Sequence, residues 1–168
     1  MEGGILAKLI ALMFCLQLCL AGCAIRGVGG SANQRGERLA IERGKLSETS
    51  DPIARTKSYI VISDLLLSFA SDAVRERAYD DFGSLLNQYL RTIQTARETI
   101  VNSERPPTRQ PQGYAELENA LRRQVSTLQD LRIKVDAANQ GAIDPVIQTA
   151  SSIRQELSNM LSRNAVEN

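Results

Sequence analysis

The segment Asp51-Pro52-Ile53-Ala54-Arg55-Thr56-Lys57-Ser58-Tyr59-Ile60-Val61-Ile62-Ser63-Asp64-Leu65-Leu66-Leu67-Ser68-Phe69-Ala70-Ser71-Asp72-Ala73-Val74 decides the fold. It opens with a capping side chain followed by proline at the first helical position, where the missing N–H has no partner to lose. Ile53, Thr56, Ile60, Ser63, Leu67, Ala70 and Val74 then repeat at helical three-four spacing, and Tyr59, Ile62, Leu66, Phe69 and Ala73 form a second stripe beside them. An apolar surface this wide has to be covered from more than one side, which predicts the most central helix of a helical domain.

Working outward, a break is expected around residues 75–79. Phe82, Leu85, Leu86, Tyr89, Ile93, Ala96 and Ile100 carry the same spacing to about Ser103. Arg105-Pro106-Pro107-Thr108-Arg109-Gln110-Pro111-Gln112-Gly113 holds three of the five prolines and reads as a loop. Tyr114, Leu117, Leu121, Leu128, Leu131, Val135 and Ala138 mark the next helix, with Gln140-Gly141 as its expected end. A second Asp-Pro pair, Asp144-Pro145, is expected to open the last helix, which contains Val146, Ile147, Ala150, Ile153, Leu157, Met160 and Leu161. No segment alternates apolar and polar residues as a half-buried strand would. The expected fold is all-α: an antiparallel up-down-up-down four-helix bundle over residues 51–164, with residues 165–168 as a tail. A short, weak extra helix over residues 34–48 would precede it.

Composition removes several chemistries. The chain has no His and no Trp. Without His there is no Ser-His-Asp or Cys-His nucleophilic arrangement, no His-based zinc site and no Glu-x-x-His di-iron motif. Neither a cofactor nor a metal site is expected, and the chain does not read as an enzyme. Lys and Arg total 20 against 19 Asp and Glu, a net charge of +1. The charges are spread evenly, so no basic block suggests nucleic acid.

The densest acidic run, Asp64, Asp72, Glu76, Asp80 and Asp81, reads as a solvated face, because Asp64 and Asp72 would stand ~12 Å apart along one helix. In Thr56-Lys57-Ser58 a lysine base would need to face a hydroxyl, and adjacent helical residues do not face each other. Tyr59, Tyr79, Tyr89 and Tyr114 are read as rim residues with packed rings and wet hydroxyls, the alternative being a tyrosine-lined pocket. The prolyl loop, through Arg105 and Arg109, is a possible docking element for a partner, the plainer alternative being a connector.

The N-terminus supplies an address. Residues 9–22 are apolar except Gln17, and fourteen helical residues span roughly 21 Å against a hydrocarbon core of ~30 Å. That suits a signal peptide better than a membrane span. The run ends in Leu20-Ala21-Gly22-Cys23, which resembles the lipobox of bacterial lipoproteins. The resemblance implies cleavage between Gly22 and Cys23, with lipid, palmitate included, on Cys23. Residues 1–22 would then be the signal peptide, and residues 23–50 the lipidated cysteine and a flexible tether with its weak helix. The three cysteines, Cys15, Cys19 and Cys23, all lie here, so cleavage would leave one, which acylation would consume. Ala24, not Asp, follows the cysteine; in this family that implies an outer-membrane destination facing the periplasm. The Gly-rich residues 24–33 would reach roughly 17 Å as a flexible chain.

A second resemblance rests on Asp51-Pro52-Ile53-Ala54-Arg55-Thr56-Lys57, Ile62-Ser63-Asp64-Leu65-Leu66-Leu67, Gly113-Tyr114-Ala115-Glu116-Leu117-Glu118 and Leu121-Arg122. These are similar to patterns in uncharacterised all-helical secreted bacterial proteins, over about residues 50–163, and imply no activity. The expectation is a membrane-anchored structural or adaptor module with an envelope protein as partner. The alternative is a carrier of small apolar ligands within the bundle.

Overall fold

The computed structural model describes residues 29–107 and 109–166. Gly22 and Cys23, on which the signal and lipidation expectations rest, lie outside the described residues. Five helices and no strand are present among the described residues: α1 (Gly29–Glu48), α2 (Pro52–Glu76), α3 (Tyr79–Val101), α4 (Gln112–Lys134) and α5 (Ala137–Val166). From Leu39 onward the chain forms one compact unit.

Helix α2 begins where Asp51-Pro52 predicts. The Asp51 carboxylate accepts from the Ala54 N–H at 2.8 Å, satisfying one of the donors that a helix start leaves free. At its other end Arg77 takes a left-handed conformation (φ 58°), and the N–H of Ala78 returns to the Ala73 carbonyl at 2.9 Å. Glycine usually fills that position. Only Arg77 and Ala78 separate α2 from α3, and only Val135 and Asp136 separate α4 from α5, so each pair is an antiparallel hairpin.

The hairpins stack with α2 beside α4 and α3 beside α5. Lys57 reaches Glu116, and further along Ser63 meets Gln124, so α2 and α4 run in the same direction. Tyr79 meets Asp136, and Arg97 meets Glu156, so α3 and α5 also run together. The loop from α3 to α4 therefore crosses a diagonal, which a two-residue turn could not do. The core between the helices is filled by side chains that are almost wholly buried, among them Leu66, Phe82, Leu86, Ile93, Leu117, Leu121, Leu128, Ile143 and Leu157.

Three expectations change. Helix α1 starts at Gly29, five residues into the stretch read as tether, and not at 34. Asp144-Pro145 does not open a helix, and Gln140-Gly141 does not end one; both pairs lie inside α5. The helix is already running from Ala137, so the N–H groups after Asp144 have carbonyl partners one turn back and need no cap, and the Asp144 carboxylate pairs with Arg132 of α4. Pro145 supplies no N–H to the carbonyl of Gly141, but Gly141 is solvent-exposed, where water can take the bond's place. Tyr89 and Tyr114 are not rim residues: they are 0% and 2% exposed.

Candidate functional site

Two features concentrate polar groups: a layer inside the bundle and a set of clefts along α2. Within the bundle, Tyr89 of α3 donates its hydroxyl to Gln124 Oε1 of α4 at 3.1 Å. Gln124 Nε2 donates both its hydrogens, to Ser63 Oγ and to Asp64 Oδ1 of α2, each at 2.7 Å. Ser63 passes its own hydrogen to the Ile60 carbonyl at 2.8 Å. Every polar atom of the Gln124 amide is thus satisfied at a place where only 2% of the residue is exposed. Burial, with the Asp64 charge as a smaller cause, pushes the Tyr89 hydroxyl well above its ordinary range, so it stays a donor. The layer links three helices across the diagonal.

Sequence reasoning missed this layer. Its signal was a gap: the α4 stripe runs Leu117, Leu121, Leu128, and the helical position between the last two is filled by Gln124.

Outside, α2 presents a ridge between two open grooves. On the α1 side a cleft of about 560 Å³ is lined by Glu42, Lys45, Glu48, Thr49, Ala54, Lys57, Ser58 and Val61. On the α4 side a cleft of about 370 Å³ involves Lys57, Ile60, Val61, Glu116, Asn119 and Arg123. A further one of about 370 Å³ shares Arg123 and continues past Asp64 and Ser68 to Ser71. Lys57 and Val61 border both sides of the ridge. Glu116 accepts from Gln112 at 3.0 Å and pairs with Lys57 at 3.3 Å through Oε1, while its buried Oε2 has no hydrogen-bond partner.

The residues singled out in the sequence divide clearly. Arg105 is bound to the Asp51 carboxylate, and its carbonyl receives the Tyr114 hydroxyl at 3.3 Å, so it secures the loop to the base of α2. Arg109 is exposed, its backbone N–H turned back to the Pro106 carbonyl at 3.0 Å. Lys57 faces Glu116, while the Thr56 hydroxyl donates to the Pro52 carbonyl at 2.8 Å, so no amine stands against a hydroxyl there. Within the acidic run, Asp72 pairs with Arg75 at 2.6 Å and Asp64 with Gln124. Among the described residues no group of three or more Asp, Glu, His or Cys is placed to hold a metal ion, and no helix is long and apolar enough to cross a membrane.

No protein-family model, no curated protein and no solved structure matches this chain.

Proposed function

We propose that the protein is a membrane-anchored envelope lipoprotein, held by lipid on Cys23 at the outer membrane and facing the periplasm. In this reading it works as an adaptor that presents a helical face to another envelope protein. The observation that carries the adaptor reading is the α2 ridge, where Lys57 and Val61 stand between two open, mixed-polarity grooves. Such surfaces suit partner side chains better than buried chemistry does. The anchor reading is supported by Leu20-Ala21-Gly22-Cys23 and by the confinement of all three cysteines to that end. Two or more acyl chains give stable anchoring without a spanning helix.

The test is cross-linking in intact cells with a photoreactive residue at Val61, followed by mass-spectrometric identification of neighbours. One recurrent envelope protein is the expected product, lost when Arg123 and Lys57 are both reversed to Glu. Recovery of uncross-linked monomer alone under several growth conditions would overturn the adaptor reading. A ligand of defined mass retained by the delipidated protein in native mass spectrometry would favour the carrier instead. Anchoring is checked separately: Cys23→Ser should abolish labelling by a fatty-acid probe, and undiminished labelling would remove the lipoprotein reading.

A further inference from the structure

We infer that the Leu39–Glu48 half of α1 is a releasable strap, which leaves the face of α2 while α2 to α5 stay folded. It is fastened lightly. Its apolar attachments to the core are Leu39 and Leu46, both only partly buried, whereas Ile41 is 59% exposed. Between the strap and α2 lies the 560 Å³ cleft, bordered by the exposed Lys45 and Glu48, and the buried strap residue, Glu42 (8% exposed), pairs with Lys45 of the strap itself at 2.7 Å. Arg43 reaches Gln88 of α3 only at 3.4 Å, the outer limit of a hydrogen bond. Gly44 lowers the helix propensity of the strap itself.

The C-terminal end is held differently. Arg55 donates to the carbonyls of Leu46 at 2.6 Å and Thr49 at 3.2 Å, and its other nitrogen meets the Tyr59 hydroxyl at 3.2 Å. These bonds satisfy carbonyls that a helix end leaves free and fix the chain where it enters α2. The result is a segment pinned at its hinge and weakly held along its length, drawn from the low-stability end of the molecule.

Release has two consequences. It uncovers Ser58, buried beside Glu42 and Lys45, and with it the α1-side flank of the ridge. It also adds the residues ahead of the Leu46 pin, 39–45, to the span between Cys23 and the bundle, up to roughly 25 Å of extended chain. The second consequence rests on the lipoprotein reading; the strap itself does not. A membrane-held bundle with its strap released would meet partners farther from the bilayer.

The experiment uses the full chain. Hydrogen exchange should show amides of residues 39–48 exchanging on the order of a hundredfold faster than buried amides of α3 to α5. In Ser58→Cys, maleimide should react at position 58, localised by peptide mass spectrometry, far sooner than at the buried position of Ala150→Cys. Adding Gly44→Ala, whose methyl would meet nothing within 4 Å, should slow the labelling at 58 about fivefold. Equal labelling rates at the two positions, or strap amides as slow as the bundle's, would overturn the proposal. If Ser58→Cys does not fold, exchange in the unaltered chain decides alone. Strap release should be unchanged in Cys23→Ser, so failure of the anchor and failure of the strap remain distinguishable.

Discussion

The two ends of the four-helix bundle are closed by different means. At one end, Arg77-Ala78 and Val135-Asp136 each turn the chain in two residues; on the surface Tyr79 bonds Asp136 at 2.9 Å and ties the two turns together, while Arg132 and Asp144 pair across the second. At the other end a loop of ten residues, Asn102–Pro111, crosses the bundle diagonal, and its fastenings reach inside. Tyr114 is buried and shares its hydroxyl between the carbonyls of Ile100 at 3.0 Å and Arg105 at 3.3 Å. Gly113 lies against Ile100 so closely that a methyl there would stand 2.6 Å from Ile100 Cδ1. Arg105 then bridges to the Asp51 cap of α2. A short turn between adjacent helices is nearly self-closing. A diagonal crossing has longer loop entropy to offset and is held by packing.

The largest difference between the ends should therefore come from shape. Gly113→Ala forces the fully buried Ile100 out of its place and should destabilise the protein by about 2 kcal/mol in urea unfolding, in spite of alanine's better helix propensity. Ile100→Val removes the clashing atom, so the double variant should be clearly less destabilised than the sum of the singles. Additive losses would show that the loop end is not close-packed at this point.

How far this asymmetry could be read in advance differs by element. Helix starts with a capping side chain were legible, as Asp51-Pro52 shows. The same dipeptide at Asp144-Pro145 misled, because α5 has already begun at Ala137 and the N–H groups beyond Asp144 find carbonyls one turn back, which the dipeptide alone does not reveal. The core stripes were legible because burial follows helical period. Gln124 was not, since a polar residue at a core position makes sense only once Tyr89, Ser63 and Asp64 are brought to it from two other helices. Tyr89 and Tyr114 were misread as rim residues for the same reason: Tyr79 has its hydroxyl bond at the surface, Tyr114 in the interior, and nothing local in sequence separates them. Arg105, read in the sequence as part of a possible docking loop, is a fastening to Asp51.

Paired hydroxyl deletions compare the ends directly. Tyr114→Phe should cost about 1 kcal/mol, because the Ile100 carbonyl of α3 and the Arg105 carbonyl of the loop lose their donor in or near the interior. Tyr79→Phe should cost only a few tenths, because Asp136 is exposed and water replaces the lost bond. Thermal unfolding of both variants measures the ratio. Equal losses would remove the distinction between a surface-tied end and a packed one.

Acid should also separate the ends, by the smallest effect. The carboxyl of Asp51 is held below its ordinary 3.8 by the Ala54 N–H and, after the opposing cost of burial, by Arg105. That of Glu156, ordinarily 4.5, is held down by its two-pronged bond to Arg97, at 2.8 and 2.6 Å. Both groups lie in the loop half of the bundle. A depressed folded-state value means that the unfolded chain takes up the proton first. Their contribution is therefore complete above about pH 5.5 and is lost as pH falls through 4.5 and below. The Arg97–Glu156 pair is about one-third exposed, so Glu156→Gln should lose only on the order of 0.5 kcal/mol at pH 7. Both Glu156→Gln and Asp51→Asn should flatten the acid limb of the melting curve. Hydrogen exchange followed from pH 7 to pH 3, after correction for the intrinsic rate, should show residues 97–116 losing protection before residues 73–82 do. Alkali cannot make this distinction, because burial at Tyr114 and the Asp136 bond at Tyr79 raise both hydroxyls and so weaken both ends together as pH rises. If acid loosens the two-residue turns first, the loop end is held by packing alone and its ion pairs are ornaments of the surface.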